Sequence, residues 1–152
     1  MPKHIIIGLV LLSFISCDNT PKYEDYNNHK PMNVTVKGST DTLNKVQKLF
    51  NEQNYELANT HLSRLAVYYA KNKEMQLYYG ITFLETNQYD LAKNVFEKLT
   101  LNKNGTFIND AKWYLALMAF KQNDISTCKK YLEQIPKEAN VYKKATSLLK
   151  KI

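Results

Sequence analysis

Residues 54–58 read Asn-Tyr-Glu-Leu-Ala, and residues 88–92 read Gln-Tyr-Asp-Leu-Ala. The tyrosine, leucine and alanine of the second stretch each follow their counterparts by 34 residues. A looser third copy, Asp-Ile-Ser-Thr-Cys at residues 124–128, comes 36 residues after the second. A fixed period of this size is typical of stacked helical hairpins, in which each repeat packs on its neighbours. We therefore expect a short array of helical repeats.

The apolar residues around these stretches follow a helical spacing. Leu43, Val46 and Phe50, for example, fall on one side of a helix that Thr40 or Asp41 can cap. With only 4 glycines and 4 prolines and little β-branched alternation, the composition favours an all-α chain. The spacing predicts helices over residues 41–53, 55–70, 74–86, 89–101, 108–122, 125–135 and 138–150.

The second repeat carries the most specific pattern, which consists of Tyr79-Gly80, Phe83, Asn87-Gln88-Tyr89, Ala92, Phe96 and Leu99. In its order and spacing this pattern resembles the tetratricopeptide repeat. The match extends to Val46, Leu49, Tyr55, Ala58, Leu62 and Leu65 in the first repeat, and to Leu115-Ala116, Asn123-Asp124, Cys128, Leu132 and Ile135 in the third. The sequence departs from the family where the tight-turn glycine is replaced by Asn54, Asn87 and Asn123.

The resemblance implies a right-handed superhelix of three helical hairpins, at about residues 40–71, 73–102 and 107–136, with a capping helix at 137–152. In such proteins the first helices of successive repeats line a concave groove that holds a peptide or a partner helix. Carried onto this chain, the groove-facing residues are Leu43, Gln47, Phe50, Leu77, Ile81, Leu84, Trp113, Leu117 and Phe120. Three uses of this surface stay open: a groove for a protein or peptide partner, internal packing of these residues against one another, the tether or the last helix, and self-association into a homo-oligomer.

The N-terminus has the features of an export signal. Lys3 and His4 precede an apolar run at residues 5–16, which is too short to span a bilayer. The sequence Phe14-Ile15-Ser16-Cys17 resembles the bacterial lipobox, which implies removal of residues 1–16 and acylation of Cys17. Several acyl chains on one residue anchor a protein durably. The alternative is an ordinary signal followed by a cysteine that occurs there by chance.

The lipobox also implies an address in the bacterial cell envelope. We expect a lipoprotein of the outer membrane that faces the periplasm. Asp18, directly after the cysteine, resembles an inner-membrane retention signal of some bacteria, so the inner membrane is the alternative. Residues 17–39 are then expected to be the acylated cysteine and a disordered tether, because Pro21 and Pro31 discourage a helix and no periodicity is sustained.

The charge of the chain is unevenly distributed. The net charge is +7, and residues 129–152 contain seven lysines but only two acidic residues, Glu133 and Glu138. A basic stretch of this kind can bind nucleic acid, an anionic membrane or an acidic partner, or it can be a solvated helix face. With Arg64 as the sole arginine and no Arg/aromatic patch, we do not expect nucleic-acid binding.

Catalytic residues are not recognisable in the sequence. His4 lies in the signal, His29 in the expected tether, and His61 stands alone on a helix. No His, Cys and carboxylate cluster has metal-ligand spacing, and no glycine-rich phosphate loop is present. We therefore expect neither metal nor cofactor, and predict a non-enzymatic interaction adaptor or assembly factor. The alternative is a structural envelope component whose basic C-terminal helix contacts anionic lipid or glycan.

Overall fold

The computed structural model describes residues 20–36, 38, 41–101 and 105–152. These residues form seven α-helices and a short 3-10 helix at Tyr23–Asp25, and none of them forms a strand. The helices are α1 Asp41–Asn51, α2 Tyr55–Tyr68, α3 Lys73–Glu85, α4 Tyr89–Thr100, α5 Ile108–Lys121, α6 Ile125–Leu132 and α7 Tyr142–Leu149. The prediction of an all-α chain is confirmed. The signal (residues 1–16) and Cys17 lie outside the described residues.

Side-chain caps fix where several of these helices begin. Asn72 Oδ1 accepts from the backbone N–H of Met75 at 3.0 Å, and Asp124 Oδ1 accepts from that of Thr127 at 3.0 Å. Each bond satisfies one of the amides that the first turn of a helix leaves without a partner. The helices therefore start within a few residues of the positions that periodicity predicts, except that α7 begins at Tyr142 instead of residue 138.

Left-handed residues mark the turn inside each hairpin. Gln53, Asn87 and Asn123 have φ of 61°, 60° and 60°. The sequence comparison predicts Asn54 for the first of these positions, and the structure corrects this to Gln53. Asn54 instead caps α2, its Oδ1 accepting weakly from Leu57 N–H at 3.4 Å. The left-handed residues of the first two hairpins are therefore 34 positions apart, like the repeated stretches themselves.

Consecutive helices pack against each other along the whole array, and α3 also contacts α5. The helices approach closely at Gly80 in α3, where an added Cβ would lie 2.5 Å from Cε1 of Phe96 in α4. The ring of Phe96 in turn stacks on Tyr114 in α5, with 5.4 Å between centroids. Ala58, Ala92 and Cys128, the last residues of the three repeated stretches, are all fully buried. The stretches are therefore packing motifs.

Segment 20–36 differs from its predicted state. The sequence predicts a disordered tether, whereas Tyr23, Tyr26, Met32 and Val34 are all at most 9% exposed and belong to the same core as the helices. The physical reason is that burial of these large apolar side chains against the helices contributes favourable free energy, which orders the segment. A polar linker has too little apolar surface to bury. Residues 17–19, 37 and 39 of the predicted tether lie outside the described residues.

Candidate peptide-binding face

Segment 20–36 lies across one side of the helical array. Its side chains and backbone contact residues of α1, α3 and α5, and two lysines near the C-terminus. These are the first helices of the three hairpins and the region of the last helix. We call the surface that α1, α3 and α5 present to segment 20–36 the binding face.

The nine groove residues predicted from sequence all belong to these three helices. Seven of them are buried, and Gln47 and Phe120 are partly exposed. Gln47, Phe50, Trp113 and Phe120 contact segment 20–36. The other five, Leu43, Leu77, Ile81, Leu84 and Leu117, are part of the helical core. Of the three uses left open, the structure therefore shows internal packing against the chain's own N-terminal segment.

Two amide side chains of α1 hold the backbone of the segment. Asn51 Oδ1 accepts from Met32 N–H at 2.7 Å, and Asn51 Nδ2 donates to Met32 C=O at 3.2 Å. One turn earlier in α1, Gln47 Oε1 accepts from Val34 N–H at 2.6 Å. Met32 and Val34 are buried while the intervening Asn33 is exposed, which is the alternation of an extended strand. The two amide side chains thus act on this backbone as a neighbouring strand would.

An aromatic anchor lies nearer the start of the segment. The ring of Tyr26 contacts Trp113 and Phe120 edge-on, with centroid distances of 6.3 Å and 6.2 Å. The ammonium of Lys151 lies 5.8 Å from the Tyr26 centroid. The Tyr26 hydroxyl is buried and has no hydrogen-bond partner among the described residues. The contacts of its ring therefore stabilise Tyr26 in this position. Burial of the hydroxyl without a partner costs free energy and offsets part of that stabilisation.

A polar cluster joins the middle of the segment to the ends of α3 and α5. His29 Nε2 lies 2.8 Å from Glu85 Oε1, and His29 Nδ1 lies 3.3 Å from the Tyr114 hydroxyl. Tyr23 donates a short hydrogen bond from its hydroxyl to the same Glu85 oxygen. Lys121 Nζ lies 3.7 Å from Glu85 Oε2 and 4.6 Å from the Tyr23 ring centroid. The side chains of His29 and Glu85 are only 3% and 8% exposed.

The pKa values of this cluster follow from its burial. Burial alone would raise the pKa of Glu85, but the hydrogen bonds from His29 and Tyr23 and the charge of Lys121 hold that pKa below its usual value. Burial, and then the negative charge of Glu85, raise the pKa of Tyr23. Burial likewise raises the pKa of Tyr114. Glu85 is therefore a carboxylate at neutral pH, and the tyrosines remain hydrogen-bond donors to it or to its partners.

Sequence reasoning missed the polar half of this site. The sequence predicts a disordered tether around His29, and it predicts no role for Glu85. The available signal was the spacing of Tyr23, Tyr26, His29 and Met32, which recur every three residues in a stretch otherwise read as a linker. Linkers are poor in aromatic residues, so this spacing is evidence against disorder.

The side chains at the centre of the polar cluster are closed off from solvent. Segment 20–36 covers the cluster, and the side chains of the cluster are hydrogen-bonded or ion-paired to one another. Among the described residues no group of three or more His, Cys, Asp or Glu could hold a metal ion.

Within that same part of the chain, every helix is too short or too polar to cross a lipid bilayer. Comparison of the chain with protein-family models, with curated proteins and with solved structures finds no match.

Proposed function

We propose that this chain is a lipid-anchored, periplasm-facing tetratricopeptide lipoprotein of the bacterial envelope that acts as a non-enzymatic adaptor or assembly factor. Acylated Cys17 anchors it, three hairpins form a right-handed superhelix, and the binding face is its peptide site. The observation that carries the proposal is the extended peptide already on that face, which is segment 20–36. Its backbone is held by Asn51 and Gln47 and its side chains by Trp113 and Glu85.

Hydrogen bonds to the backbone are independent of the peptide's sequence, whereas the pockets for Tyr26 and His29 select side chains. This division is how proteins recognise extended peptides. A partner with an aromatic residue and an imidazole three residues apart would make the same contacts. Because segment 20–36 occupies the face, a partner must displace it, and its apparent affinity is reduced by the fraction of molecules in which the segment is bound.

The repeat assignment is supported by three features of the helices. Gln53 and Asn87 place equivalent left-handed turns 34 residues apart. Gly80 allows α3 to approach Phe96 of α4 closely, as the family's small residues do. The fully buried Ala58, Ala92 and Cys128 occupy equivalent positions in the three hairpins. These features favour an array whose first helices share one side, which is the side that holds the segment.

A photo-crosslinking phenylalanine analogue in place of Phe120 tests the adaptor proposal in intact bacteria. In the otherwise unchanged protein we expect it to crosslink mainly to segment 20–36, because Phe120 contacts Tyr26. In a variant that also carries Tyr26→Ala and His29→Ala, we expect the segment to leave and crosslinks to another protein to increase. The analogue in place of Leu91, which is 47% exposed on α4, is the control.

The adaptor proposal fails if release of the segment gives no intermolecular product at position 120 beyond that at position 91. A second measurement uses a fluorescent peptide of residues 20–36. It should bind the Tyr26→Ala/His29→Ala variant and not the unchanged protein. Adding Asn51→Ala to the released variant should weaken peptide binding about tenfold, since it removes two backbone hydrogen bonds.

A further inference from the structure

The start of segment 20–36 lies beside the lysines of the C-terminal region. Lys151 Nζ is 5.8 Å from the Tyr26 ring centroid, and Lys144 Nζ donates to Asn28 C=O at 3.3 Å. At the end of α5, Lys121 lies over the Tyr23 ring. The first described residue, Thr20, is three positions before Tyr23, so it too is close to this basic region.

The lysines of this region share one side of α7. Ala145 and Leu148 are buried against the rest of the protein, at 1% and 0% exposure. At 100° per residue, Lys143, Lys144, Lys150 and Lys151 all fall within about 60° of Ser147, and Lys150 and Lys151 lie just beyond Leu149, the last residue of α7. All four lysines are exposed. We call this surface the lysine face. Asp25 of segment 20–36 lies beside Lys143 and Lys144 in this surface.

The packed segment leaves little chain between the lysine face and the lipid. Three residues connect Cys17 to Thr20, and three residues span at most about 11 Å. A disordered tether over residues 17–39 would leave the protein free to move well beyond the range of the membrane charge, which is screened over roughly 8 Å at physiological salt. With the segment packed, the region around Tyr23 is kept near the headgroups.

We infer that the lysine face is a docking surface for the anionic headgroups of the bilayer that holds the acyl chains. The inference rests on the acylation of Cys17 in the proposed function. A surface hollow of about 360 Å³ lies between segment and helix, lined by Asp25, Tyr26, Asn28, Lys143, Lys144 and Ser147. It presents two ammonium groups to a headgroup phosphate, with the Asp25 carboxylate also in its lining. Several lysines near an anionic leaflet attract it additively, and the attraction falls with added salt.

The three most exposed large apolar residues of the array lie at the other edge. Val67, Tyr68 and Leu101 are 78%, 80% and 78% exposed and sit at the C-terminal ends of α2 and α4. Those ends join one hairpin to the next, whereas Tyr23 contacts the C-terminal ends of α3 and α5, at the turns inside the hairpins. This apolar edge is therefore at the opposite ends of the helices from Tyr23.

The test uses the full-length, acylated protein in vesicles that carry a fluorescence quencher on some headgroups. A dye is attached at Ser147→Cys on the lysine face or, as control, at Asn94→Cys on α4; Cys128 is buried and Cys17 is blocked by its lipid. On vesicles with anionic phosphatidylglycerol we expect quenching at position 147 to exceed that at position 94 by about threefold. The excess should diminish on neutral phosphatidylcholine vesicles and in high salt.

A charge-matched pair of variants isolates the lysine face. Replacing Lys143, Lys144, Lys150 and Lys151 by Gln should abolish the excess quenching at position 147. Replacing the exposed lysines 45, 71, 73 and 98 by Gln removes the same charge and should leave it unchanged. Equal quenching at both positions on anionic vesicles, in protein that floats with neutral vesicles, would overturn the docking surface and leave the anchor intact. Protein that fails to float with neutral vesicles would overturn the anchor, and the inference with it.

Discussion

His29 and Glu85 are 56 residues apart in the chain, and their side chains meet at 2.8 Å between Nε2 and Oε1 with almost no exposure to solvent. This contact joins the N-terminal segment to the end of α3. It decides whether residues 20–36 are a flexible tether or a bound peptide. The first prediction follows from removing it.

His29→Ala should release the segment. Glu85 would keep its contacts with Tyr23 and Lys121 but lose its buried, charge-assisted hydrogen bond to His29. This loss should destabilise the bound segment by about 2 kcal/mol. Trp113 is the sole tryptophan and contacts Tyr26, so its fluorescence reports release directly. We expect a red shift of its emission and a lower urea midpoint. His61→Ala, at a half-buried site on α2, is the control, and an equal effect there would contradict the prediction.

The backbone contacts of α1 give the second prediction. Asn51→Ala removes two hydrogen bonds to Met32 and Gln47→Ala removes one to Val34, and each change should destabilise the bound segment by about 1 kcal/mol. Amide hydrogen exchange should accelerate at Met32 and Val34 while the amides of α5 stay protected. Asn44→Ala, exposed on the same helix, should leave both amides unchanged. Unaltered exchange in Asn51→Ala would show that these bonds do not hold the segment.

Gly80 gives the third prediction. Its Cα lies so close to Phe96 that an added Cβ would be 2.5 Å from Cε1, so Gly80→Ala should destabilise the fold by about 2 kcal/mol despite the better helix propensity of alanine. Chemical denaturation measures this cost. Phe96→Leu alone leaves space, and Gly80→Ala should cost less in that background. A single variant as stable as the unchanged protein would mean that Phe96 shifts freely.

Local patterns predicted the helices well because a helix is specified by residues three and four positions apart. The helical spacing of Leu43, Val46 and Phe50 gave α1 to within two residues at its end. The segment was missed because the contacts that order it, such as His29 with Glu85 and Tyr26 with Trp113, join residues far apart in the chain. No periodicity encodes such pairs. The sequence signal that remained was the apolar content of residues 20–36.

The same distinction explains which site residues were found. Trp113 and Phe120 were predicted because helical spacing places them on one side of α5, and both contact Tyr26. The occupant of that side was left open, since apolar residues on a helix face do not show what covers them. Asn51 is not among the groove residues predicted from sequence, because its role depends on the backbone of Met32.

Gln53 gives the fourth prediction. Its φ of 61° lies in the left-handed region, which costs a glutamine side chain about 1 kcal/mol and costs glycine little. Gln53→Gly should therefore stabilise the protein by somewhat less than this amount, measured by thermal and urea unfolding. Asn87→Gly should gain less, because asparagine tolerates this region and its Oδ1 accepts from the Tyr89 hydroxyl. A larger gain at Asn87 than at Gln53 would contradict this explanation.

The fifth prediction concerns acid. The folded state holds the pKa of Glu85 below the usual value of about 4.3, so the folded state binds fewer protons there than the unfolded chain. This contribution to stability is fully present at a pH above the usual pKa, and it is lost as the pH falls through the lowered pKa of the folded state. Tyr23, His29 and Lys121 face the carboxylate, with Tyr55 and Tyr114 nearby.

Urea unfolding at pH 6 and pH 3 measures the contribution of the Glu85 charge to the free energy of unfolding. The unchanged protein is compared with Glu85→Gln, whose amide does not titrate. At pH 6 the unchanged protein should be the more stable, because its carboxylate attracts Lys121. Its advantage should shrink at pH 3, because the unfolded chain binds a proton at Glu85 at a higher pH than the folded protein does. The emission of Trp113 should shift to the red over the same range in the unchanged protein, because Tyr23 and His29 are held by this carboxylate. A constant difference in unfolding free energy between the two proteins would show that Glu85 does not control the segment through its charge.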